Sequence, residues 1–458
     1  ALAAGLLASA PGAFAADAAG GKTEAERRLE EVLAELEAQR LEINGLKSQL
    51  AVVQGGSGIE AQVMKYLAAD EAKKTDASKD DFRVFWKEGL NFQTADKAFH
   101  LKVGGRIMYD MVFPDADDDV EAKAGDFDAL SGFRRLRVEF EGTIFKNVFY
   151  KNVIDFSDTG YAYKDNLIGF SGLPAVGNFQ VGYFKEPVGL EELTSSKYIT
   201  FTERSIATNA FVPAHNHGFQ FFNNYQDGDI TWAVGDFWDG GTGAARVEHG
   251  FSGRVTWVPF KNKDDGTLFH VGGSAQLRSP DAESDRFRAR PETPFTPRTL
   301  DTKVISVDNE TILGLEGAWV MGPFSVQGEY YRASIDGHPD VAGSPDPEFS
   351  GFYLAGSYFL TGESRPYKNG TFGRVKPKTT FEGETLGGAF EVALRYAKVD
   401  LDDDGVQGGV ASDWTVGLNW YLNTNTRVML DFVLHEVRWD SDTEGDVKSV
   451  VLRFQVDF

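Results

Sequence analysis

The stretch Asp446-Val447-Lys448-Ser449-Val450-Val451-Leu452-Arg453-Phe454-Gln455-Val456-Asp457-Phe458 decides the fold. From Val450 onward the apolar residues Leu452, Phe454, Val456 and Phe458 alternate with the polar residues Arg453, Gln455 and Asp457. Successive side chains of a β-strand point to opposite faces, so this is a strand with one apolar and one hydrated face. Ending on an aromatic residue suits the closing strand of a membrane β-barrel, whose outer surface meets lipid and whose inner surface meets water.

The alternation recurs upstream. Trp414, Val416, Leu418, Trp420 and Leu422 oppose Thr415, Gly417, Asn419 and Tyr421. Phe390, Val392, Leu394 and Tyr396 oppose Glu391 and Arg395, and Val428, Leu430, Phe432 and Leu434 oppose Asp431 and His435. Sixteen such segments begin between residues 98 and 446, the last four near 387, 413, 426 and 446. Bacterial single-chain barrels have even strand numbers. The connections alternate too: Lys146-Asn147, Asp227-Gly228, Gly322-Pro323 and Asn423-Asn425 are short, while 114–130, 190–215, 281–309 and 336–348 are long. A soluble β-sandwich also alternates along its strands, but needs neither this short–long rhythm nor Trp and Phe on the outward face. The connection Glu363 to Leu386 breaks the rhythm, being long where a short turn is due. Phe82 to Gln93 reads as an extra hairpin or plug piece.

Composition agrees. Aromatics make up 13% of the 458 residues, with 50 Gly, as many short strands and tight turns require. Mean hydropathy is −0.30, which excludes a bundle of membrane-crossing helices but not a barrel. Without Cys there are no disulfides or thiolate metal sites. A net charge of −23 argues against nucleic acid as a partner.

Residues 1–15 read as the remnant of an export signal, with an apolar Leu2–Leu7 core and the small-residue box Ala13-Phe14-Ala15. In the following region, 16–58, Leu29, Val32, Leu36, Ile43, Leu46, Leu50 and Val53 fall at alternating steps of three and four. Gln39 alone breaks this seam, and about four heptads of it predict a coiled coil. Gly55-Gly56-Ser57-Gly58 ends that helix, and 59–81 reads as a helical linker to a barrel over 82–458.

Function then reduces to what lines and narrows the lumen. Gly189 to Ala214 follows the fifth strand and is the candidate inward-folding loop. It carries Glu191-Glu192, Thr194-Ser195-Ser196-Lys197 and Glu203-Arg204, in which hydroxyls beside Lys197 suit a passing oxyanion. A surface loop closed by an ST-turn fits the same residues. In strand two, Arg135 and Arg137 fall on the lumen parity with Glu139 and Glu141. Arg134 falls on the outer parity unless a bulge turns it inward. Arg286, Arg288 and Arg290 form either an anion vestibule or solvated surface charge. Asp115 to Asp119 resembles a cation-attracting rim whose spacing fits no EF-hand. His215 and His217 lack a third metal ligand at suitable spacing, and no nucleophile has an identifiable base. The expectation is therefore a protein that is not an enzyme and has no cofactor.

Several segments resemble the phosphate-selective porin O and P family: Leu101-Lys102-Val103-Gly104-Gly105-Arg106, Gly132-Phe133-Arg134-Arg135-Leu136-Arg137, Gly189-Leu190-Glu191-Glu192-Leu193-Thr194-Ser195-Ser196-Lys197 and Thr361-Gly362-Glu363-Ser364-Arg365-Pro366-Tyr367. The resemblance spans roughly Phe82 to Phe458. It implies a homotrimeric, sixteen-stranded outer-membrane channel whose third loop folds inward. It further implies anion contacts from Arg106, Arg134, Arg135, Ser195 and Ser196. Where the phosphate-binding members carry Lys, this chain has Glu192, a carboxylate that would repel a dianion in a confined pore.

The combined expectation is an all-β, 16-stranded antiparallel transmembrane β-barrel with an N-terminal coiled-coil helix. It would act as an outer-membrane porin for small hydrophilic solutes, anions such as phosphate foremost, with a constriction at Arg106, Arg134, Arg135, Glu192, Ser195, Ser196 and Lys197. Lipid and lipopolysaccharide would surround it, and residues 23–53 would lie in the periplasm. The alternative is a structural tether, in which the coiled coil links the barrel to the cell wall.

Overall fold

The computed structural model of the chain describes residues 33–34, 37–38, 40–44 and 81–458, the last span without 158–161, 239–248, 263–264, 281–283 and 384–385. Residues Ala1–Ser78 and Lys79–Phe458 form two separate units. In the first, the described residues are helical, and Ile43 of the expected seam is exposed. The signal remnant and the segment 59–72 lie outside the described residues.

The second unit is a closed barrel. Its strands are β1 (Phe99–Ala116), β2 (Leu130–Ile144), β3 (Val148–Asp155), β4 (Ala162–Leu173), β5 (Gly177–Lys185), β6 (His215–Tyr225), β7 (Ile230–Trp238) and β8 (Gly250–Lys261). The circuit continues with β9 (Leu268–Arg278), β10 (Ile305–Met321), β11 (Phe324–Gly337), β12 (Glu348–Phe359), β13 (Ala389–Asp403), β14 (Val406–Tyr421), β15 (Thr426–Arg438) and β16 (Glu444–Asp457). Each pairs antiparallel with the next, and β16 returns to β1 through Asp457↔Arg106 up to Val447↔Ala116. Closure leaves no free edge within the circuit, the condition for a sheet to cross a bilayer.

The alternation sorts the side chains as the sequence requires. On β16, Val450, Phe454 and Val456 are 38%, 48% and 42% exposed, whereas Arg453, Gln455 and Asp457 are 0%, 1% and 3% exposed. Leu313, Leu315 and Trp319 on β10 and Trp414, Val416 and Leu418 on β14 repeat the pattern. The barrel thus carries its apolar side chains outward and its charges inward, the reverse of a soluble protein.

Three features refine the sequence reading. In β2 the register with β1 shifts between Met108↔Arg135 and Tyr109↔Phe133, so Arg134 is the extra residue of a β-bulge. The bulge turns Arg134 into the lumen beside Arg135. Second, β14 begins at Val406, ahead of the expected start near 413, because Asp404 and Gly405 take φ of 45° and 81° and close a two-residue hairpin. Third, Phe82–Trp86 and Leu90–Thr94 form a hairpin in the wall, not a plug. Its second strand pairs with His100–Val103 of β1, the part of β1 that β16 does not reach.

The long connection between β12 and β13 also finds its reason. It folds into the mouth at the short-turn end: Arg365 donates to Gln327 Oε1 at 2.7 Å, Arg254 Nη2 donates to the Gly370 carbonyl at 2.8 Å, and Tyr367 Oη lies 2.6 Å from His270 Nδ1. Its length is spent crossing the lumen, and its Arg374 pairs with Asp457 of β16.

An Arg introduced at the exposed outward position Leu315 is expected to destabilise the barrel in lipid by about 2–4 kcal/mol toward the bilayer middle. Urea-dependent folding into vesicles measures this. An unchanged midpoint for Leu315→Arg would mean that this face does not meet lipid.

Candidate functional site

The third loop, residues 186–214 between β5 and β6, divides the lumen. It turns inward at Gly189, where φ is +72° and an added Cβ would stand 2.6 Å from Tyr331 Oη and 2.9 Å from Glu329 Oε2. Helix α1 (Leu190–Leu193) follows, and the N–H groups of Leu190 and Glu191 each donate to the Glu329 carboxylate at 2.7 Å. A later helix, α2 (Ile206–Phe211), is capped by Ser205, whose hydroxyl accepts from Thr208 N–H.

Between these helices the loop is pinned to the wall formed by β13 to β16. Thr202 donates through N–H and hydroxyl to Asp431 at 2.7 and 2.8 Å. Asn419 donates to the Thr200 carbonyl at 2.8 Å, Arg427 to that of Ile199 at 2.8 Å, and Gln455 to that of Lys197 at 3.1 Å. Two fully buried guanidiniums complete the clamp. Arg395 meets Glu191 at 3.0 Å and Glu292, from the 279–304 connection, at 2.5 Å. Arg453 meets Asp110 at 2.6 Å and Glu203 at 3.1 Å. That half of the barrel is thereby filled.

The other half stays open. A cavity of about 960 Å³ runs along the wall of β1 to β6 and the near side of the loop. Its lining includes nine basic residues, Arg106, Arg134, Arg135, Arg137, Lys151, Lys164, Lys185, Arg204 and Arg290, against four acidic ones, Glu141, Asp165, Glu192 and Glu203.

Six of the seven expected site residues line this space: Arg106, Arg134, Arg135, Glu192, Ser195 and Ser196. Arg106 donates to Ser196 Oγ at 2.6 Å, reaches Ser195 Oγ at 3.5 Å, and pairs with Glu139. Lys197 is not among the lining residues; it bonds Glu139 at 3.0 Å, the carboxylate that also holds Arg106. Arg134 grips Glu203 through Nε and Nη2 at 2.7 and 2.8 Å, while Arg135 Nη1 stands 3.9 Å from the same carboxylate. Glu192 is sandwiched between Lys185 at 2.8 Å and Arg204 at 2.9 Å. Burial opposes its charge, but Arg204 and Lys185 outweigh burial and hold its carboxyl below the usual range. The repulsion expected of a bare carboxylate is therefore largely compensated. Burial likewise opposes ionisation of Glu203, yet Arg134, Arg135 and Arg453 hold it far below the usual range.

The remaining sequence candidates divide. Arg290 reaches the cavity, whereas Arg286 is exposed and paired with Asp301. His215 lies 3.4 Å from Asp165, while His217 pairs across strands with Tyr183 and is absent from the cavity lining. No group of His, Asp and Glu among the described residues is arranged to hold a metal ion. Asp118 and Asp119 open a short surface helix, Asp118–Ala124. Lys151, Lys164 and Lys185 were not singled out from sequence; inward parity was a signal for Lys151, which faces Glu141 across β2 and β3, whereas Lys164 lies at the β3–β4 register shift and Lys185 shares the parity of Tyr183.

The model of the family described as phosphate-selective porin O and P matches residues 101–458. The chain belongs to this family. Among curated relatives, Porin O of Pseudomonas aeruginosa is 28% identical over 412 residues, covering 80% of this chain and 90% of the relative. An uncharacterized protein of Caulobacter vibrioides is 28% identical over 399 residues, covering 82% of this chain and 77% of that protein. Among solved structures, the outer membrane channel DcaP of Acinetobacter baumannii shares the fold at a TM-score of 0.50 and 10% identity, with 80% of this chain and 99% of that chain covered. As a member of this porin family, the protein is an outer-membrane channel.

The substitution Arg395→Met leaves the buried Glu191 and Glu292 without their cation and is expected to cost about 3–5 kcal/mol. Equilibrium unfolding, with protease cleavage in the 186–214 loop as a second readout, checks this. An unaltered midpoint and an uncleaved loop would mean that Arg395 does not hold the loop.

Proposed function

We propose that the channel is anion-selective and takes phosphate-type oxyanions. The observation that carries the reading is the surplus of basic over acidic residues around the open path, nine against four, in a chain whose net charge is −23. Glu139 and Asp155 back Arg106 and Arg137, yet the lining of the path itself carries more cations than carboxylates. Walls of low dielectric concentrate that field within the path. Arg106, Arg134, Arg135, Ser195 and Ser196 converge on it, offering planar forks and hydroxyls that match a tetrahedral oxyanion.

The assembly is read as a homotrimer whose contacts lie on the outer face of β3 to β6. Asn152, Asn166, Tyr183 and His217 form a cross-strand row there, beginning opposite the lipid-facing Phe140. Polar side chains at that position fit a protein neighbour better than lipid. The N-terminal heptads would then lie in the periplasm and join three copies.

In planar bilayers under a salt gradient, the reversal potential is expected to have the sign of anion preference, and phosphate is expected to block the chloride current at low concentration. Cation preference would overturn the reading. Removing residues 23–53 is expected to weaken the trimer on native gels while leaving single-channel conductance in place. Unchanged trimer stability would remove the assembly role, and loss of wall attachment with intact trimers would favour the tether.

A further inference from the structure

We propose that the Glu203 carboxylate is a built-in competitor for the transported anion, occupying the Arg134–Arg135 pair until an oxyanion displaces it. The inference rests on the anion-channel reading and assigns Glu203 as a determinant of selectivity at that site. Arg134 offers Nε and Nη2 to the two oxygens of Glu203 at 2.7 and 2.8 Å, with Arg135 Nη1 3.9 Å away. This is the two-point geometry by which a guanidinium holds a carboxylate or a phosphate. An anion arriving from the lumen meets donors that are already engaged.

The carboxylate already has a second partner, which it keeps when Arg134 lets go. Glu203 Oε1 lies 3.1 Å from Arg453 Nη2, behind the lumen surface. The backbone on either side does not need to move. Thr202 is held by Asp431, the Glu203 carbonyl accepts from Arg395 at 3.1 Å, and the Ser205 N–H donates to Glu191 at 2.9 Å. Exchange therefore needs only side-chain rotation between two guanidiniums. Accessibility points the same way: the side chains of Arg134 and Glu203 keep 32% and 13% of their surface, whereas that of Arg453 keeps none. Water and solute reach the outer pair and not its backing.

Competition of this kind discriminates between anions. Chloride presents one diffuse charge to a fork shaped for two oxygens and displaces a bidentate carboxylate poorly. A phosphate presents two oxygens and up to two charges. Glu203 thus sets a threshold for occupying the Arg134–Arg135 site that phosphate-type oxyanions meet and halides do not, selectivity being a difference between two affinities.

The test uses the full chain in planar bilayers, with chloride as the current carrier and inorganic phosphate as the competing anion. For Glu203→Gln, the half-blocking phosphate concentration is expected to fall by about tenfold, and chloride conductance at low salt is expected to rise. Glu203→Asp, which keeps the charge but withdraws it from Arg134, is expected to shift both in the same direction by less, and carries the test should Glu203→Gln not assemble. If the wild type is anion-selective and blocked by phosphate while both quantities stay unchanged in the variants, Glu203 merely braces Arg134 and the inference falls alone. If the wild type is not blocked by phosphate, the anion reading falls as well.

Discussion

Arg395 and Arg453 have no exposed side-chain surface, and a guanidinium in such a place must be fully paired or the structure around it fails. Both sit on the inner wall and are satisfied by carboxylates from elsewhere: Glu292 and Glu191 for the first, Asp110 and Glu203 for the second. Glu191 and Glu203 belong to the third loop. The requirement to neutralise two arginines thus fixes a loop that would otherwise be free to swing. Because the loop is fixed against β13 to β16, the open path lies along β1 to β6. On the open side many cations are paired as well, Arg134 with Glu203 and Arg106 with Glu139, but its lining still holds more basic than acidic residues.

Much of the fold was legible because a barrel wall imposes a strict period of two. One face meets hydrocarbon and the other water, so each residue declares its side, and Leu452, Arg453, Phe454 and Gln455 could be placed from sequence alone. Legibility failed where that rule is locally suspended. Arg134 reads as outward by parity and points inward because one extra residue in β2 forms a bulge. A bulge is set by the pairing of two strands, and neither strand announces it by itself. The early start of β14 was missed because the turn at Asp404 and Gly405 is only two residues long.

The site was legible as a set of residue types but not as a charge balance. Glu192 looks like a repulsive carboxylate when the sequence is scanned for an anion site. In the folded chain it stands between Lys185 and Arg204, the first at the end of β5 just before the loop and the second twelve positions onward in the loop. Glu203, only a neighbour of Arg204 in sequence, proves to be the partner of Arg134, 69 positions away. Pairings over such separations come from closure of the barrel and carry no local signal. The length of the 360–388 connection follows the same logic, since it crosses the inner mouth to meet Gln327 and Arg254.

The division of the lumen into a filled and an open half is tested most directly by thiol accessibility, which the absence of native Cys makes clean. Thr143 on β2 lines the cavity, whereas Thr415 on β14 is inward-facing but completely covered, donating to Glu292 at 2.5 Å. With Thr143→Cys and Thr415→Cys compared in bilayers, a charged thiol reagent is expected to reduce the current through the first and leave the second unchanged. Equally rapid modification and current loss at Thr415→Cys would contradict a loop pinned across that wall.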